Sequence, residues 1–159
     1  MDDLASVLAI VAMELDSDHV GLSRWEAEHR RLHTIATSPG CPDPGGGSYD
    51  LIDYPTTEHV MLHGEAAQLL AGDRDDAEAH YLDESGHGAM LMVPVAFGGV
   101  TIGLLEAMRD RERAFTRSQT NRARIVAHQL GGMLAAGHLG PAAPVPDLRY
   151  RGSRRLAQA

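Results

Sequence analysis

The run AMLMVPVAFGGVTIGLLEAMR, residues 89 to 109, constrains the fold more than any other part of the chain. Apolar side chains fill it on both sides of Gly98-Gly99, which gives it the strongest strand signal in the sequence. Gly98-Gly99 predicts a two-residue hairpin turn, because glycine takes positive φ at both central positions without a Cβ clash. That turn pairs Val95 with Ile102, Val93 with Leu104 and Leu91 with Glu106 on one face. The other face then carries Met90, Met92, Ala96, Thr101, Gly103, Leu105 and Ala107. Both faces are largely apolar, so the pattern requires cover on each side of the sheet. Helices are expected on one side, and the face rich in Met, Gly and Ala is expected to border a cavity.

The flanking segments supply that cover. Leu4, Val7, Leu8, Val11 and Leu15 recur at helical spacing, with Asp2 and Asp3 at the positive end of the helix dipole. HVGLSRWE and RRLHTIAT read as strands joined by the polar AEHR, and a Pro/Gly-rich loop runs from Ser38 to Ser48. In YDLIDYPTTEHVMLHGE, Thr56 or Thr57 can cap a short helix that Gly64 ends. AAQLLAG fits either a short strand or the end of that helix. In GDRDDAEAHYLDESGHG, Asp75 and Glu78 form a capping-box-like pair for another short helix. Thr116 and Gln119 form a second capping box, followed by the stripe Ala123, Val126, Leu130, Met133 and Leu134 and a stop at Gly137. Prolines 141, 144 and 146 then rule out a regular helix. The expectation is an α+β domain over 1–137 with a central antiparallel sheet, and a Pro/Arg-rich tail or linker over 138–159.

Composition excludes several classes. A chain of 159 residues with 43% apolar content suits one domain with its own core. No segment is apolar and long enough to span a membrane, and the start Met-Asp-Asp is unlike a signal peptide, so a cytoplasmic protein is expected. The net charge of −8 argues against a general nucleic-acid binder. All 14 basic residues are arginine. Four of them, against Asp147 alone, make the tail basic, which suits a link to an effector domain or an acidic partner. Cys41 is the single cysteine, so no disulfide forms within one chain.

Few residues carry recognisable chemistry. The acidic run 72–88 fails as a calcium loop, since Ala77 and Glu78 stand where an oxygen ligand and glycine are needed. His59 and His63 lie one helical turn apart but lack the glutamate of the zinc-protease motif. The remaining histidines are scattered, and any one can serve as an axial haem ligand. No phosphate-binding loop, dinucleotide fingerprint or nucleophile elbow is present. Glu106 interrupts an apolar strand and needs a partner, with Arg24, Arg31 and Arg109 as candidates.

Taken together, GHGAMLMVPVAFGGVTIGLLEAM, RAFTRSQTNRARIVAHQLGGML, DYPTTEHVMLHGE and DRDDAEAHYL resemble a GAF domain of the bacterial signalling type over about Asp2 to Ala136. The resemblance implies terminal helices on one sheet face and a small-molecule pocket under middle loops and short helices on the other. It implies a non-enzymatic sensor, dimeric through the terminal helices, that binds an unidentified small molecule and regulates an effector. Alternatives of the same fold are a haem or redox sensor and a ligand-free dimerisation module. The chain departs from known subtypes. It lacks the Cys-His pair of bilin binders, the several cysteines of the sulfoxide reductases and the NKFDE set of cyclic-nucleotide phosphodiesterases, and Ala89 replaces a common Ser. The pocket candidates are Tyr54, Arg74, His80, Tyr81, His87, Met90, Met92, Thr101 and Glu106.

Overall fold

The structure, a computed structural model, describes residues 4–41, 47–73 and 75–137. Helix α1 (Leu4–Glu14) leads into strands β1 (His19–Glu26), β2 (Arg31–Thr37) and β3 (Ser48–Asp50). Helix α2 (Pro55–His63), strand β4 (Ala67–Leu70) and helix α3 (Ala77–Glu84) follow. The hairpin β5 (Ala89–Phe97) and β6 (Val100–Arg109) precedes the closing helix α4 (Arg117–Ala135). The six strands form one antiparallel sheet in the order β3-β2-β1-β6-β5-β4. AAQLLAG therefore resolves as a strand, and a third short strand forms at Ser48–Asp50.

The glycine turn forms as expected, with φ of 59° at Gly98 and 80° at Gly99, and Phe97 opposite Val100. The register beyond it differs from the sequence reading. Ala96 pairs with Thr101, but Val95 pairs with Gly103, so Ile102 is an extra residue in a bulge. One inserted residue moves every later β6 side chain to the opposite face. Val93 thus lies opposite Leu105 and Leu91 opposite Ala107, while Met92 lies opposite Glu106 and Met90 opposite Met108. Leu104 and Glu106 belong with the methionines, and Leu105 and Ala107 belong with Leu91 and Val93. Pro94 is tolerated because the β4 pairing of β5 ends at Met92, leaving no partner on that edge for a missing N–H.

Two cores result. Leu91, Val93, Val95, Leu105 and Ala107 pack with Leu8, Val11 and Leu15, and with Ala123, Ala127, Leu130 and Leu134 of α4. On the other face Met90, Met92, Leu104 and Met108 pack with Leu32, Tyr49, Leu51, Tyr54, Val60, Met61, Leu69 and Leu82. Both terminal helices cover one face, and α2 and α3 roof the other. The expected capping box of α4 is present, with Thr116 Oγ1 accepting from the Gln119 N–H and Gln119 accepting from the Thr116 N–H.

Arg109, fully buried, joins the two layers. Its guanidinium donates to the carbonyls of Leu15, Asp16, Arg113 and Ala114 and to Gln119 Oε1, and it stacks on Phe115 at 3.9 Å. Burial lowers its pKa, yet arginine remains charged, and five accepting oxygens satisfy it. Arg109 is thus committed to backbone, and Arg31 pairs with Asp50 at 3.0 Å, so neither is turned to Glu106.

A tyrosine-lined cavity under the α2–α3 roof

Two helix N-termini meet above the sheet. Helix α2 starts at Pro55, and its preceding residue, Tyr54, offers no side-chain cap, so the first N–H groups need an acceptor from elsewhere. Glu78 of α3 supplies it. The Thr56 and Thr57 N–H groups donate to Glu78 Oε1, and the Thr57 hydroxyl donates to Oε2 at 2.7 Å. Asp76, rather than Asp75, caps α3 by accepting from the Glu78 N–H, and it also accepts from the Thr56 hydroxyl at 2.8 Å. Two carboxylates thus sit between two positive helix ends and bind the roof into one unit. Glu78 is 4% exposed, and its burial pushes its pKa upward against the lowering effect of the threonine hydrogen bonds.

Beneath this roof lies a cavity of about 40 Å³. Tyr49, Tyr54, Tyr81, Leu82 and Met90 line it, with Glu78 and Glu106 contributing from roof and sheet. The tyrosines form a chain, Tyr49 to Tyr54 at 6.3 Å and Tyr54 to Tyr81 at 5.8 Å between ring centres. Its inner part is small enough for only a few waters, and it is open to solvent on one side. No histidine, arginine or lysine is among the lining residues described.

Of the residues singled out in the sequence, Tyr54, Tyr81, Met90 and Glu106 converge here. The others do not. Met92 is fully buried in the core beside the cavity. His80 is exposed on the outer side of α3. Thr101 borders a separate open groove with His63, Pro94, Arg124 and His128. His87 lies at the opposite end of β5, against His19 and Asp110. Arg74 lies outside the described residues, as does the tail. Glu78 and Tyr49 were missed. The signal for Glu78 was a helix start, Pro-Thr-Thr, with no capping side chain before it.

The fold is shared with solved structures of low sequence identity. The chain is similar to the phycocyanobilin-bound GAF domain from a cyanobacterial phytochrome, at 18% identity and TM-score 0.69, covering 87% of each chain. It is similar to the GAF domain of an Acinetobacter phosphoenolpyruvate-protein phosphotransferase, at 16% identity and TM-score 0.66, covering 91% of this chain and 89% of that one. A third is the GAF domain of a two-component sensor histidine kinase from Bacillus halodurans, at 14% identity and TM-score 0.66, covering 86% and 97%. No curated relative matches the chain. The family model of the GAF domain matches residues 3–134, nearly all of the described fold, and the chain therefore belongs to the GAF family of sensory and regulatory domains.

Proposed function

We propose that this GAF domain is a sensor without catalytic chemistry of its own, and that it takes a small aromatic molecule bearing hydrogen-bond donors or a positive charge. The observation that carries this reading is the lining: three tyrosines and two carboxylates, with no basic side chain among the described lining residues. Tyrosine faces favour flat and cationic groups. Carboxylates accept hydrogen bonds, and an anion placed between Glu78 and Glu106 is repelled unless a proton is taken up.

Signalling follows from the architecture. A molecule seated in the site touches both roof and sheet, and its binding energy favours whichever arrangement of the two holds it better. The sheet is shared with α1 and α4, whose outer faces expose Ile10, Met13 and Ile125. A homodimer through these helices, passing the bias to an effector, fits that surface. A thermal-shift comparison of small aromatic amines with aromatic carboxylic acids of the same size tests the reading. Amines should raise Tm and the matched acids should not; stabilisation by the acids alone would overturn the charge selection.

A further inference from the structure

Away from the cavity, three strand ends bring two histidines and a carboxylate together. His19 opens β1, His87 stands just before β5, and Asp110 directly follows β6. These strands are neighbours in the sheet, and backbone hydrogen bonds fix their ends: Asp18 N–H to the Met108 carbonyl at 2.9 Å and Gly88 N–H to the Arg109 carbonyl at 2.8 Å. The Asp110 N–H also donates to Asp18 Oδ2 at 2.8 Å. The side chains are therefore held by rigid elements.

We propose that His19, His87 and Asp110 form a binding site for a divalent transition cation of the zinc type. His87 Nδ1 lies 3.2 Å and His19 Nε2 lies 3.6 Å from Asp110 Oδ1. One ligand atom from each residue lies within 4.8 Å of the other two. Zinc bonds of 2.0–2.1 Å in a tetrahedron place ligand atoms about 3.3 Å apart, so small side-chain adjustments close the site. Two neutral imidazoles and one carboxylate suit a borderline cation better than calcium or magnesium, which take oxygen ligands. The histidine side chains are 14% and 5% exposed while that of Asp110 is 60% exposed, which leaves an open side for water and for entry of the ion.

Among the described residues, the neighbouring arginines are engaged elsewhere. Arg109 faces backbone carbonyls, and Arg111 and Arg113 pair with Asp16 at 3.2 and 3.4 Å. His19 Nδ1 is buried without a hydrogen-bond partner. A missing outer partner on a ligating histidine weakens affinity by about 10–100-fold, so binding in the micromolar range is expected. The ion would clasp the start of β1, and with it the end of α1, to the central hairpin.

The test is titration of the chelator-treated chain with Zn²⁺, and with Co²⁺ for its visible absorption. One ion per chain, with Tm raised by several degrees at saturation, is the expected result. Asp110→Asn, at an exposed position, should weaken binding at least tenfold, and His87→Gln should abolish it. The double variant H59A/H63A removes the adjacent histidines of α2 and should bind as the parent does. No saturable binding, binding that Asp110→Asn leaves unchanged, or binding lost with H59A/H63A would overturn the proposal. Asp110→Asn decides the matter even if His87→Gln fails to fold.

Discussion

Glu78 is a carboxylate that two helices share. Its raised pKa means that the folded chain holds its proton more tightly than the unfolded chain. Its contribution to folding is complete below the unfolded carboxylate value and is lost as pH rises through the folded value. Glutamine resembles the protonated form, with an oxygen for the two amide N–H groups and an NH₂ that the Thr57 oxygen can accept. Glu78→Gln should therefore match wild type near pH 4 and become the more stable protein as pH rises, measured by urea denaturation at each pH. A wild-type advantage that grows with pH would contradict this. Glu26, whose pKa the hydrogen bond with His33 lowers, acts in the opposite direction but cancels in the comparison. Arg109 makes the second residue-level prediction. Arg109→Lys keeps the charge but concentrates its donors on one atom, and carbonyls of the α1 end and the α4 approach lose partners. A loss of about 2–4 kcal/mol is expected from denaturant unfolding.

The β5–β6 hairpin was legible from Gly98-Gly99, but its faces were not. The turn signal is local, whereas the bulge at Ile102 depends on how β6 also fits β1, where Gly103 lies opposite Arg24. Period-two reasoning fails at one inserted residue and then misplaces every residue beyond it. The same limit left the β4 segment open between strand and helix end, since its four residues gain their identity only by pairing with β5. It also hid the role of Glu78, which bonds across 21 and 22 residues of sequence. The Thr116–Gln119 box was readable because all its partners lie within one turn. Packing of α4 gives a paired prediction. A Cβ at Gly131 would stand 2.2 Å from the Ala96 carbonyl oxygen, while one at Gly132 meets nothing within 4 Å. Gly131→Ala should cost about 1–3 kcal/mol, despite the better helix propensity of alanine. Gly132→Ala should gain about 0.5–1 kcal/mol. Equal effects in thermal unfolding would contradict the close contact of α4 with β5.

The sheet separates two jobs. On one side it packs against the terminal helices, and on the other it floors the tyrosine cavity. The exposed outer helix faces make the proposed dimer testable: M13E/I125E should run as a monomer in analytical ultracentrifugation at concentrations where the parent is dimeric, with its circular dichroism unchanged. The proposed ligand site is the tyrosine cavity under the roof. Ser85 stands at the cavity wall but is exposed, so Ser85→Trp blocks the site without repacking the core. Native mass spectrometry of both proteins after incubation with a bacterial small-molecule extract tests the claim directly. A stoichiometric adduct of one small molecule per chain is expected on wild type and none on Ser85→Trp. A bare mass for wild type, or an adduct that Ser85→Trp retains in full, would contradict it.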